Sequence, residues 1–213
     1  VFFDSHTGLA VGTYGAMYAT RDGGKTWMAA SNWLTADGFH LNDVTRLGDG
    51  SLLLVGEFGT MAHSTDAGAT WRAIDSPYEN SIFAAASRRT RGAVIGGLRG
   101  KLFMTDDVLS GHWRQIDNPW EQSIFGVSAL PTGSGHLLAA QNGLLLTLGP
   151  NGELASVTLD KESAGLPPAA PQGPPYVLRM SDSMENELGA FVHALPHEGG
   201  FLTVGHAGLR YWR

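Results

Sequence analysis

Leu52 to Trp71 reads LLLVGEFGTMAHSTDAGATW, and its two halves each dictate a local fold. In the first half an apolar strand runs to Gly56, a four-residue turn Gly56-Glu57-Phe58-Gly59 follows, and a second strand covers Thr60 to Ser64. Glycines at both turn ends suit a hairpin with positive φ. The second half, Ser64 to Trp71, predicts a compact turn. An Asp carboxylate can accept bonds from backbone N–H groups, a Gly can take a left-handed conformation, and Thr-Trp opens the next strand with an indole to pack beneath.

The order S/T-x-D-x-G-x-T-W is the Asp-box, or BNR repeat. It recurs 44 positions earlier, where Thr20, Asp22, Gly24, Thr26 and Trp27 match Ser64, Asp66, Gly68, Thr70 and Trp71. A third, degraded copy keeps Thr105, Asp107 and Trp113 around a longer turn. The three tryptophans, spaced by 44 and 42, are expected in equivalent core places under their turns.

Two further rulers agree. The glycine turns read Gly12-Thr13-Tyr14-Gly15, Gly56-Glu57-Phe58-Gly59, Gly97-Leu98-Arg99-Gly100, the weaker Ala140-Gln141-Asn142-Gly143, and Gly205-His206-Ala207-Gly208. Pro77-Tyr78-Glu79-Asn80-Ser81-Ile82-Phe83 returns 42 residues later as Pro119-Trp120-Glu121-Gln122-Ser123-Ile124-Phe125. A period of 42 to 44 with four short strands per repeat predicts an all-β chain, a β-propeller or an arc of one with five blades. The blades are expected at 1–32, 39–77, 78–119, 120–160 and 188–213, with a proline-rich insertion over 161–187 serving as an ordered arm or a flexible loop. The fifth repeat stops before a fourth strand and nothing before Val1 closes the ring, so residues upstream are expected in the native protein.

Composition fits this reading and narrows function. There are 29 Gly in 213 residues and no Cys, which removes thiol chemistry and Cys-ligated metal. The formal net charge of -6 argues against nucleic acid, which needs a basic face. Arg88, Arg89, Arg91, Arg99 and Lys101 gather in the third repeat. No apolar run reaches the roughly 18 to 20 residues of a membrane span.

In a four-stranded meander the glycine turns share one disc face with the loops that lead from blade to blade, and the Asp-boxes lie on the other. On the turn face the variable groups Tyr14, Glu57, Phe58, Arg99, Asn142 and His206, flanked by Tyr78, Glu79, Trp120 and Glu121, form the candidate partner-binding surface. Read singly, each is a solvated turn residue.

No catalytic set, cofactor site or metal site emerges. Asp22, Asp66 and Asp107 are explained by their own turns, and Pro196 interrupts the ligand-like spacing of His193 and His197. Gly96 to Lys101 falls one residue short of a phosphate loop. Asp-boxes also occur in glycosidases, so the competing reading is a carbohydrate-active propeller with Glu79 and Glu121 as its carboxylate pair, or a sugar-binding module stacking rings on Tyr78 and Trp120.

The V-G-x-x-G-x-x-x-x-S/T-x-D-x-G-x-T-W order at Val11–Trp27 and Val55–Trp71 resembles the photosystem II assembly and stability factor family of BNR-repeat propellers. The P-Y/W-E-x-S-I-F segments and Gly97-Leu98-Arg99-Gly100-Lys101 look more like its non-photosynthetic bacterial relatives, exported proteins associated with RND-type exporters. The likeness is good over about Val1–Leu148 and loose over Leu188–Arg213. It implies a non-catalytic scaffold, periplasmic or otherwise extracytoplasmic, whose partner is a membrane-protein complex such as an RND-type transporter. In the photosynthetic members a basic patch is implicated in partner binding, whereas this chain is acidic overall.

Overall fold

The computed structural model describes residues 1–131, 133, 135–157, 191–197, 200–205 and 208–212. The insertion expected over 161–187 lies outside them. Five antiparallel sheets follow one another along the chain. The first holds β1 (Gly8–Val11), β2 (Met17–Thr20) and β3 (Met28–Ala29), and a short helix, α1 (Trp33–Ala36), leads onward. The second is β4 (Leu41–Arg46), β5 (Leu52–Gly56), β6 (Met61–Ser64) and β7 (Arg72–Ala73). The third comprises β8 (Ile82–Arg88), β9 (Gly92–Gly97), β10 (Leu102–Thr105) and β11 (Arg114–Ile116). The fourth comprises β12 (Ile124–Ala129), β13 (His136–Ala140), β14 (Leu145–Leu148) and β15 (Leu154–Ser156), and the fifth β16 (Phe191–His197), β17 (Gly200–Gly205) and β18 (Gly208–Trp212). Each sheet is a simple meander, the expected propeller blade, with β4, β8, β12 and β16 neighbouring one another at the hub.

The first sheet departs from the expected four strands. It has three, and the hub side of β1 meets Val1 and Phe2 through a Phe2–Gly8 bridge and reciprocal Val1–Leu9 backbone bonds. Val1 and Phe2 stand where Thr45 and Arg46 stand in the second blade.

The core lies between blades, not within any of them. Leu9 and Met17 pack on Leu52, Leu54 and Trp71; Leu53, Val55 and Met61 on Ile82, Ile95 and Phe103; Val94, Leu102 and Met104 on Ile124, Leu138 and Leu146; Leu137 and Leu145 on Ala194. Middle strands are thus covered on both faces, which is why Leu52 to Val55 is an unbroken apolar run with no residue measurably exposed.

The Asp-boxes close the outer corners in the expected way. In the second blade the Thr70 amide and hydroxyl donate to the two Asp66 carboxylate oxygens at 2.8 and 2.6 Å, while Ser64 Oγ donates to Asp66 at 2.8 Å and accepts from the Gly68 amide at 2.9 Å. The first blade repeats this with Thr26, Asp22, Thr20 and Gly24 at 2.9, 2.6, 2.9 and 2.9 Å. The third box is rewired. Asp107 has no threonine, and its carboxylate is held by Arg91, with Nε to Oδ1 at 2.8 Å, and by the Leu109 amide at 2.9 Å.

The tryptophans are not equivalent. Trp71 is buried and Trp113 packs against the layer between blades two and three, but Trp27 is 39% exposed, bonded to Gly24 O and meeting Phe2 edge-on at 6.0 Å. Trp27 thus departs from the expected core role, with Phe2 as the ring it meets.

The glycine turns correct a second expectation. Their first glycines are extended, at φ -171, -160 and -151 for Gly12, Gly56 and Gly97. Positive φ falls on the last two residues of each turn: Tyr14 and Gly15, Phe58 and Gly59, Arg99 and Gly100, Asn142 and Gly143. Two successive left-handed residues are the type I′ arrangement. The terminal glycine is required twice over. At Gly59 φ is +69 and an added Cβ would lie 2.6 Å from Tyr78 O, because the loop leading into the third blade crosses it.

Gly59→Ala is therefore expected to cost about 2–4 kcal/mol, from left-handed strain and a backbone clash together. Gly38→Ala, with φ +70 and nothing within 4 Å, isolates the conformational part at about 1 kcal/mol. Chemical denaturation of the two variants measures the difference. The Thr26 hydroxyl, then its amide, holds the Asp22 carboxyl down at about 2, and Thr70 lowers Asp66 in the same manner. A depressed folded value stabilises above the unfolded value of about 4 and is lost as pH falls through the folded one. The wild type should thus lose thermal stability from about pH 4 to about pH 2 more steeply than an Asp22→Asn/Asp66→Asn variant.

Candidate functional site

The turn face is built by one device used four times. Glu57, Leu98 and Gln141 donate their amides to the carbonyls of His40, Ser81 and Ser123, at 3.0, 2.9 and 2.9 Å, seating each turn on the start of its own hub strand. The Gly15 and Gly59 amides reach the following loop, to Phe39 O at 2.8 Å and Asn80 O at 3.1 Å. The third turn makes a bond of the same kind, from the Arg99 amide to Ser123 Oγ at 3.1 Å, so the first three turns are tied to the loop that follows and their third residues project from a rigid support.

The side chains at that third position differ sharply in setting. Tyr14 is 80% exposed and Phe58 70% exposed. Arg99 and Asn142 are exposed as well. Around the first two tips the structure assembles a strip. Tyr14 lies edge-on to His40 at 5.1 Å, His40 Nδ1 is 3.6 Å from Glu57 Oε1, and Phe58 tilts against Phe39 at 5.0 Å. Glu57 Oε2 accepts the His40 amide at 2.9 Å, which fixes the carboxylate between the rings.

Other sequence-derived candidates fall elsewhere. Tyr78 is half-buried against the layer between blades two and three, its hydroxyl donating to Leu98 O at 3.2 Å and its ring 6.1 Å from Phe103. Trp120 packs likewise on the next layer. Their rings are spent on blade packing and offer no free stacking platform. Glu79 and Glu121 are exposed at the loop surface, Glu121 with φ 53. His206 lies outside the described residues.

The hub strands add residues that the sequence pattern does not single out. β4, β8, β12 and β16 each skip one residue in pairing, at Asn42, Phe83, Phe125 and Val192. Such a bulge re-aims a side chain. Phe83 and Phe125 meet at 5.2 Å, and Asn42 Nδ2 donates to Ile82 O at 2.9 Å. Below them Asp43 accepts the Ala85 amide at 2.9 Å; burial pushes its carboxyl up, and that bond opposes the rise. The literal copying of Ser-Ile-Phe was a signal for Phe83 and Phe125. Nothing in the sequence marked Phe39 or His40.

The opposite face holds an open concavity of about 550 Å³ lined by Arg88, Asp106, Asp107, His112, Trp113 and Arg114 among others. Its two aspartates are paired, Asp106 with Arg88 and Asp107 with Arg91, while Arg88 also bonds Pro150 O and Arg114 bonds Asn151 O. Neither Glu79 nor Glu121 borders it. Among the described residues no three His, Asp or Glu side chains converge as metal ligands, and no helix is long and apolar enough to cross a membrane.

Residues 1–80 match the family model described as Photosynthesis system II assembly factor YCF48. No curated protein matches the sequence. YCF48 bound to D1 peptide is similar in fold, with a TM-score of 0.64 at 20% identity over 95% of this chain and 58% of that one. YCF48 from Cyanidioschyzon merolae gives 0.67 at 18% identity, over 99% of this chain and 65% of that one. The extracellular domain of the putative one component system BT4673 from B. thetaiotaomicron gives 0.64 at 13% identity, covering 98% of this chain and 26% of that one. The chain spans less than two thirds of the length of these relatives, and what it shares with them is the propeller fold.

Proposed function

We propose that the chain is a non-catalytic scaffold that docks a protein partner on its turn face, and that this partner belongs to an extracytoplasmic membrane-protein complex of the RND-exporter type. Protein binding is supported by the YCF48 relative described as bound to a D1 peptide. The exporter and the compartment rest on the likeness of Pro77–Phe83, Pro119–Phe125 and Gly97–Lys101 to exporter-associated bacterial propellers.

One observation carries the docking face. The third turn position is left-handed in all four described turns, a conformation that suits Asn or Gly and costs other residues about 1 kcal/mol. The fourth blade has Asn142 there, whereas the first two have exposed Tyr14 and Phe58. Aromatic groups held at a conformational cost without the return of burial are a feature of binding surfaces, where rigid rings anchor partners.

Replacing Tyr14 and Phe58 by Asn relieves backbone strain and sacrifices the Tyr14–His40 and Phe58–Phe39 ring contacts. These terms nearly cancel, so stability should stay within about 1 kcal/mol of wild type. Affinity capture of tagged protein from envelope extracts, read by mass spectrometry, is expected to enrich an RND-type transporter with the wild type and to lose it with Tyr14→Asn/Phe58→Asn. Equal recovery by both would overturn the docking face; reproducible enrichment of a different protein would overturn the exporter.

A further inference from the structure

The two faces of the first two blades differ in charge in a way the overall value of -6 conceals. On the turn face, the segments 12–16, 30–41, 56–60 and 74–81 carry Asp37, Glu57, Asp75 and Glu79, with no Lys or Arg. On the Asp-box face of the same blades, Arg21, Lys25, Arg46 and Arg72 are balanced by Asp4, Asp22, Asp49 and Asp66. The acidic surplus is therefore confined to the surface that exposes Tyr14, Phe39 and Phe58. Among the described residues of the third blade, Arg99 and Lys101 bring basic charge to the turn face.

We infer that the strip Tyr14–His40–Glu57–Phe58–Phe39 receives an arginine- or lysine-bearing segment of the partner protein, a deepening that rests on the turn face being the docking face. Aromatic faces attract a cation placed within about 6 Å of the ring, and a carboxylate fixed among them supplies the counter-charge. Glu57 is so fixed: one oxygen is taken by the His40 amide at 2.9 Å, and the other lies 3.6 Å from His40 Nδ1. Its side chain retains 29% exposure, enough to be reached and low enough to feel less screening than a free surface acid. Asp37, Asp75 and Glu79 lie in the loops of the same face, and their charge favours a basic segment over an acidic one. An acidic lipid surface or a nucleic acid would meet like charge here.

Three fluorescently labelled peptides of equal length distinguish the outcomes: leucine alternating with arginine, with glutamate, or with serine. Anisotropy titration of the full chain should show binding of the arginine peptide that weakens as salt rises, with the glutamate peptide unbound. Glu57→Gln keeps an acceptor for the His40 amide, and Phe58→Asn keeps the turn as Asn142 does. Each should weaken the arginine peptide about tenfold, while Arg72→Gln on the other face leaves it unchanged. If the serine or glutamate peptide binds as tightly and Phe58→Asn still weakens it, the cation preference falls and the docking face stands. If no peptide binds, or if binding ignores both Glu57 and Phe58, the inference fails; partner capture that also ignores Tyr14 and Phe58 removes the docking face with it.

Discussion

The second, third and fourth sheets are apolar on both sides, and what covers each is a neighbouring sheet of the same kind. That constraint explains most of the architecture. Leu52 to Val55, Ala93 to Ile95 and Leu137 to Ala140 are fully or almost fully buried because blades stand face to face. Burial of this kind is worth about 25 cal/mol per Å² of apolar surface and has no direction of its own. The corners fix the angle and spacing of the blades: on one face the Asp-boxes, on the other the glycine turns that tuck beneath the following loop.

The two corners do different work. In the Asp-box a carboxylate gathers hydroxyl and amide donors within its own blade, so the unit is nearly self-sufficient and tolerates rewiring. The third blade exchanges threonine for Arg91 and still seats Trp113 against the core. The first three glycine turns are bonded to the loop that follows as well as to their own blade, and substitution at their last residue meets backbone. Rigid support from two blades is what allows the tips to carry varied side chains without altering the frame, and it places Tyr14 and Phe58 beside Phe39 and His40 of the loop following blade one. The function proposed here is a consequence of that division: invariant corner, variable tip.

Sequence reading reached the fold because its signals were local and repeated. Asp66 and Asp22 form the same bonds at nearly the same lengths, and a spacing of 44 reports the blade period directly. Its failures have physical reasons. Tyr78 and Trp120 looked free because no strand contained them, yet loops that cross a neighbouring blade must bury something, and their rings serve that purpose. Trp27 shares the motif of Trp71 but is 39% exposed where Trp71 is buried, since a motif describes only the residue's own turn. Phe39 and His40 gained significance from the approach of a turn seventeen or more residues away in the chain. The hub bulges were invisible because Ile82 to Ala86 is apolar throughout and alternation cannot report a skipped residue.

Hydrogen exchange measured amide by amide tests the central claim most directly, since it separates a turn fixed between blades from a turn free in solvent. The Gly15 and Gly59 amides, bonded to Phe39 O and Asn80 O, should exchange as slowly as those of the adjoining strands. The amides of Tyr14 and Phe58, one residue away at the tips, should exchange much faster. Rapid exchange at both glycines, with protection confined to the strands, would contradict an account in which these turns are clamped beneath the loops that follow them.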